Sequence, residues 1–234
     1  MLPKAIFFDM DDTILSFKSV CDPAWEEVCA TFEKRRGIIE AKVLLNAINE
    51  IRDWYWRDSS RHKTGRLDMN QARRNIVCMA FDKLGHKNEE AAFEVADHYS
   101  QLQEELMHPF PGAIETLEHL VAKDVKLCLI TNGGTDKQRA KINRFDLEKY
   151  FQHCLVEGEL GFGKPDVRVY ELALKRMEVL PKDAWMVGDN LEWDVEAPQK
   201  LGIYSVWNDF EQKGLPTNSK VVPDRIIGNI SELI

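Results

Sequence analysis

The stretch Ile6-Phe7-Phe8-Asp9-Met10-Asp11-Asp12-Thr13-Ile14-Leu15 sets the reading of the whole 234-residue chain. An apolar run that ends abruptly in three carboxylates reads as a buried strand delivering acid groups to a site at its carboxyl end. In an extended segment Asp9 and Asp11 project to the same side, close enough to share a metal ion or to divide the roles of nucleophile and proton donor. A strand running into a solvated acidic turn gives the same pattern, so this stretch alone leaves both readings open.

Outward from it, residues from about 20 to 107 contain no convincing strand and four helical stretches. The first opens with Asp22-Pro23 as cap and first helical residue, carries Trp25, Val28, Cys29 and Phe32 on one face and stops at Gly37. The second carries Leu44, Ile48 and Ile51 and runs into Trp54-Tyr55-Trp56; the third spans Asp68 to Gly85; the fourth starts near Asn88. Pro109-Phe110-Pro111-Gly112 then ends the helical run. Beyond it helices alternate with apolar strands at 125–130, 154–156, 184–187, 203–206 and 225–227, with helices over 113–123, 136–150 and 192–201 and another ending at Met177. This alternation predicts an α/β fold with a doubly wound, mostly parallel sheet. Residues 1–15 and 110–234 form the core, and 16–109 are an inserted α-helical cap domain.

A formal net charge of -8 argues against a nucleic-acid polymer as the main partner and gives no sign of a membrane surface, while leaving room for a small anionic substrate. Five cysteines without a CxxC pair suit reduced thiols, and the first apolar run is too brief for a signal peptide or a spanning helix, so a cytoplasmic protein is expected.

Three apolar strands end in polar residues: Asp9 and Asp11, then Thr131 and Asn132, then Asp189. In an open parallel sheet such ends line one crevice, which is where ligands bind. The ordered set Asp9-x-Asp11-x-Thr13, Thr131-Asn132, Lys164 and Gly188-Asp189-x4-Asp194 resembles the haloacid dehalogenase-like superfamily of aspartate-nucleophile phosphohydrolases. The resemblance covers essentially the full chain, and the helical insert is similar to that family's first-position cap. It implies a Rossmann-like core and a phosphoric monoester hydrolase acting on a small phosphorylated metabolite. Asp9 would be the nucleophile that becomes an aspartyl-phosphate, Asp11 the general acid and base, and Lys164 the catalytic cation facing the developing charge. Thr131 through its hydroxyl and Asn132 through its backbone N–H would hold phosphoryl oxygens, with Gly133 and Gly134 allowing close backbone approach. Asp9, the Asp11 carbonyl and Asp189 would hold Mg2+, since hard oxygen donors without thiolate or imidazole select it. Asp194 is expected to act at one remove, by orienting Lys164 or Asp189 or through water, and Asn190 is a further candidate for the metal's surroundings.

Asp12 stands where many relatives carry glycine, which adds a charge beside the site. Between Arg52 and Arg74 lies a basic excess, including Arg57, Arg61, Lys63, Arg66 and Arg73, that reads either as a rim for an anionic substrate or as a solvated surface with ordinary ion pairs. Competing functional readings are a phosphotransferase or mutase, a haloacid dehalogenase of the same fold, which would need neither metal nor second acid, and a binding protein without turnover.

Overall fold

The computed structural model describes residues 2–234. The chain divides into two compact units, one reaching to Ser16 and resuming over His108–Ile234, the other spanning Phe17–Met107. The first is built on a sheet of six strands among the described residues: β1 Ala5–Phe8, β2 Lys126–Thr131, β3 His153–Val156, β4 Ala184–Gly188, β5 Tyr204–Asn208 and β6 Arg225–Ile227. All pairings are parallel and the order is β3-β2-β1-β4-β5-β6. The sheet grows one way from β1 to β3 and the other way from β4 to β6, so β1 and β4 flank the point where the strand order reverses. Every residue of β1 is 0 % exposed, the signature of a strand covered on both faces.

In the second unit five helices are present among the described residues: α1 Lys18–Arg36, α2 Ala41–Arg57, α3 Ser59–Gly65, α4 Met69–Lys83 and α5 Glu89–Leu106. They enclose a core of their own, in which Trp25 stacks on Tyr99 and Phe32 meets Phe81 edge-on. Two expectations are corrected here. First, α1 begins at Lys18 and runs through Pro23, because Val20, Ala24, Trp25 and Val28 share one buried face and their packing outweighs the one i→i−4 bond that proline forgoes. Second, α3 is an additional helix, started by the Asp58 side chain accepting from the Arg61 N–H at 2.9 Å. Of the aromatic triplet before it, Trp54 is exposed while Tyr55 and Trp56 pack on the helical core, as adjacent residues on a helix must diverge.

The remaining helices belong to the sheet unit: α6 Ala113–Ala122, α7 Thr135–Arg144, α8 Glu157–Leu160, α9 Val167–Met177 and α10 Ala197–Gln199. The helix expected over 136–150 is broken: α7 ends at Arg144 and a separate 3-10 turn covers Glu148–Tyr150, with Asp146 at a positive φ of 50° between them. The helix expected over 192–201 is a π-helical turn, Leu191–Glu196, followed by α10, whose Pro198 sits in the first turn where no N–H is required. Where the chain leaves and re-enters the sheet unit the two segments are paired, the Ser16 N–H donating to the His108 carbonyl at 2.8 Å and the Phe110 N–H to the Ile14 carbonyl at 2.9 Å.

Candidate active site

Asp9 follows β1 and Asp189 follows β4, so the strand-order reversal places them side by side. The Asp9 N–H donates to the Val187 carbonyl at 2.9 Å, carrying the sheet's pairing one residue past the strand and fixing the carboxylate. Asp9, Asp189 and Asp194 each offer a carboxylate oxygen, all within 4.8 Å of one another. Between them lies Lys164, 1 % exposed, whose Nζ donates to Asp9 Oδ1 at 2.7 Å and to Asp194 Oδ1 at 2.6 Å. Asp194 Oδ2 accepts from the Asn190 N–H at 3.0 Å, which the π-helical turn aims back toward it. Gly188 makes this approach feasible, because a Cβ there would overlap the Asp194 side chain.

The electrostatics follow from this crowding. Burial pushes the Asp9 carboxyl up to about 7 against the pull of Lys164, with Asp194 and Asp11 adding to the rise. Burial, then Asp9, Asp194 and Asp12, raise Asp189 well above the ordinary carboxylate range. Burial works against the Lys164 ammonium, yet Asp194 and Asp9 outweigh it and the group is raised. Three carboxylates thus face one ammonium, and the Asp189 carboxylate has no hydrogen bond or ion pair among the described residues. An uncompensated cluster of hard oxygen donors at the end of buried strands fits a small divalent cation.

Asp11 turns elsewhere. Its carboxylate accepts from Lys141 Nζ at 2.8 and 2.6 Å and from Gln138 Nε2 at 3.2 Å, both on α7. Gln138 also donates to Thr131 Oγ1 at 2.6 Å and to the Asn132 carbonyl at 2.7 Å, so one buried amide ties the end of β2 to the turn after β1. Neither residue was singled out from the sequence; the available signal was the helical spacing of a glutamine and a lysine on the first turns after Thr131-Asn132-Gly133-Gly134.

Asn132 has a task that the sequence did not suggest. Its side chain donates to the Lys164 carbonyl at 2.7 Å and accepts from the Lys164 N–H at 2.8 Å, locking the lysine's backbone to the end of β2. The Gly133 N–H donates to the buried Glu157 carboxylate at 2.9 Å, and Gly133 adopts a φ of 122° that side chains rarely tolerate. Thr13 lies 1 % exposed and directs its hydroxyl to Asp9 Oδ2 at 3.4 Å. Asp12 has a positive φ of 60°, which explains why glycine suits this position; its carbonyl accepts from Asn208 Nδ2 at 3.0 Å. Trp207 Nε1 donates to the Asp189 carbonyl at 2.7 Å. These two residues end β5 and were also missed, since nothing in the sequence marks a strand end that supports its neighbours rather than the ligand.

In the helical unit part of the basic segment is paired or stacked in place. Arg52 pairs with Asp22 at 2.9 Å, Arg74 with Asp97, and Arg61 stacks over Trp54 at 3.7 Å. No helix among the described residues is long and apolar enough to cross a membrane.

The chain is 29 % identical to a phosphoserine phosphatase of Thermus thermophilus, covering 98 % of this chain and 97 % of that one. It is 25 % identical to a glyceraldehyde 3-phosphate phosphatase of Pyrococcus furiosus, covering 99 % and 91 %. Among solved structures it resembles the HAD-hydrolase YfnB of Bacillus subtilis, determined with magnesium, at a TM-score of 0.74 and 20 % identity over 100 % of this chain and 97 % of that one. It also resembles a 2-haloacid dehalogenase of Pseudomonas syringae, at a TM-score of 0.65 and 27 % identity over 100 % and 96 %. The model of the haloacid dehalogenase-like hydrolases matches residues 3–202, and the chain belongs to that family.

Proposed function

We propose that the protein is a Mg2+-dependent phosphomonoester hydrolase that acts on a small phosphorylated metabolite through an aspartyl-phosphate on Asp9. The observation that carries this is Lys164 bridging Asp9 and Asp194 beside the Asp189 carboxylate, which has no partner among the described residues. The phosphatase names of the relatives from Thermus thermophilus and Pyrococcus furiosus support it.

Asp9 attacks phosphorus, and the P–O bond to the substrate alcohol breaks as the aspartyl-phosphate forms. Asp11 gives its proton to the departing alkoxide and later takes one from the water that cleaves the intermediate. Lys141 and Gln138 hold the Asp11 carboxyl in a fixed place beside Thr131, so both steps start from an oriented group. The Thr131 hydroxyl, whose oxygen already accepts from Gln138, keeps its proton to donate to a phosphoryl oxygen, and the Asn132 N–H donates to another. Lys164 keeps a positive charge at the attacked centre, and its anchorage by Asn132 and Asp194 keeps it from following the substrate out. Asp9, the Asp11 carbonyl and Asp189 would hold the Mg2+, which when bound offsets repulsion between carboxylates and a phosphate dianion.

The test is phosphate release from a panel of sugar phosphates, nucleoside monophosphates, phosphorylated hydroxy acids and an aryl phosphate, with Mg2+ and with EDTA. Metal-dependent release that vanishes in Asp9→Asn is expected. Halide release from a 2-chloro acid without metal, and no phosphate from any ester, would replace this reading with a dehalogenase.

A further inference from the structure

β5 ends in Trp207 and Asn208, which are 7 % and 1 % exposed. In the strand order β4 separates β5 from β1, so no pairing of the sheet joins Asn208 to the segment after β1. A side-chain bond does: Asn208 Nδ2 donates to the Asp12 carbonyl at 3.0 Å, across 196 positions of sequence. A carbonyl can only accept, which fixes the orientation of the amide and leaves Asn208 Oδ1 as its other half. That oxygen is buried with no hydrogen-bond partner among the described residues. An amide buried with one half unsatisfied is a poor choice for packing alone, so the reason to keep it is its donor.

What the donor holds is a turn beside the acid cluster. Asp12, at a φ of 60°, has a conformation that residues other than glycine seldom adopt. Its N–H donates to the Leu15 carbonyl at 2.7 Å, and because the peptide is planar this fixes the direction of the Asp11 carbonyl. Asn208 fixes the carbonyl on the other side of the same residue. Trp207, one position earlier, donates from Nε1 to the Asp189 carbonyl at 2.7 Å. Two consecutive residues of one strand thus hold the backbone of both acidic segments, the one after β1 and the one after β4. β5 is itself paired on both sides, with β4 and with β6, which makes it a firm anchor.

We propose that Asn208, seconded by Trp207, is a positioning residue for the divalent cation: by holding the Asp12 and Asp189 carbonyls it keeps the Asp11 carbonyl and the Asp189 carboxylate in place and so sets the affinity of the site. Asn208 acts through its neighbours and is not itself a ligand. The proposal rests on the cation reading of the acid cluster, whereas the phosphatase chemistry is not needed for it.

The experiment titrates the full chain with Mn2+, read by electron paramagnetic resonance, and with Mg2+, read as the rise in Tm, for wild type, Asn208→Leu and Trp207→Phe. Asn208→Leu keeps the size of the side chain and exchanges one unsatisfied oxygen, its own, for another, the Asp12 carbonyl, so Tm in EDTA stays near that of wild type. Affinity for both cations falls roughly 10- to 100-fold, the usual loss when a group that orients metal ligands is removed. Trp207→Phe loses only the indole donor and weakens binding in the same direction; should Asn208→Leu not fold, this variant decides. Unchanged cation affinity in the folded variants, including the case where Tm in EDTA drops, shows a merely structural role and overturns the proposal. If neither cation binds wild type, the cation reading has failed and the proposal falls with it. Phosphate release separates the remaining case: the variants need more Mg2+ for half-maximal rate and keep most of kcat at saturation, and if no ester is hydrolysed the phosphatase reading alone has failed while the Mn2+ titration still decides.

Discussion

Replacing Gly188 by alanine is a small change that the geometry makes severe. A Cβ at this position would overlap the Cγ and Oδ2 of Asp194 and lie 2.6 Å from its Cβ. The backbone cannot yield, because β4 is paired on both sides, with β1 and with β5. Asp194 must therefore move, and with it go the bonds to Lys164 Nζ at 2.6 Å and from the Asn190 N–H at 3.0 Å. Each is a buried charge-assisted hydrogen bond contributing about 1.5 to 3 kcal/mol, and overpacking adds about 1 to 3 kcal/mol. The expected loss is about 4 to 6 kcal/mol, allowing for partial relaxation, which is a large share of a typical domain's stability. Urea unfolding at neutral pH in EDTA measures it, and turnover in Mg2+ should fall in parallel as Lys164 loses its second anchor. In an Asp194→Ala background the same glycine substitution should do less further harm, because most of the overlapping atoms are gone. A loss below about 1 kcal/mol with normal turnover would refute the claim that Gly188 exists to admit Asp194.

Asp9→Asn should abolish turnover and leave no trappable phosphoenzyme while retaining the fold by circular dichroism; substantial hydrolysis by this variant would remove Asp9 as nucleophile. Lys141→Met frees the Asp11 carboxyl from its fixed place, so kcat on an alkyl phosphate should fall about 10- to 100-fold, and far less on an activated aryl phosphate whose leaving group needs no proton; equal losses on both would mean that Lys141 acts otherwise. The pH dependence of stability has a definite sign. Asp9 is raised from 3.8 unfolded to about 7 folded, so its contribution is fully present below 3.8 and is lost as the pH rises through 7. At 1.36 kcal/mol per unit this amounts to about 4 kcal/mol, seen as the difference between wild type and Asp9→Asn in EDTA, and saturating Mg2+ should flatten it. A difference that grows more favourable with pH in EDTA would show the sign to be wrong.

What the sequence reveals of the site is whatever a strand end displays. The apolar runs ending in Asp9, Thr131 and Asp189 are visible because a strand buried on both faces allows only apolar residues, and its last position is the first place where polarity is tolerated. What it hides is support from elsewhere in the chain. Gln138 and Lys141 look like any polar helical pair, and only the folded chain brings them to Asp11. Asn132 reads as a turn residue, and only the fold shows its side chain closing a pair of bonds to Lys164. The misplaced start of α1 has the opposite cause: Asp22-Pro23 carries a strong local signal for a helix start, and a buried face extending back to Val20 overrides it.

The arrangement of charges explains why so many residues are devoted to holding a few. Among the described residues Asp9, Asp189 and Asp194 face Lys164 as their one cation, while Asp11 is already matched by Lys141. Asp12, only 7 % exposed and held at a positive φ, adds to the field that raises Asp189. A phosphate dianion entering beside this surplus would meet several like charges, and each unit pair near 4 Å opposes it by about 4 kcal/mol at an effective dielectric constant of 20. Lys164 cannot absorb that, since both Asp9 and Asp194 already bind it. A divalent cation held by Asp9 and Asp189 would offset the repulsion and would give the Asp189 carboxylate a partner. On the phosphatase reading, the support of Lys164 by Asn132, Asp194 and Gly188 would keep its positive charge in place beside Asp9 as the charge of the neighbouring carboxylates is redistributed.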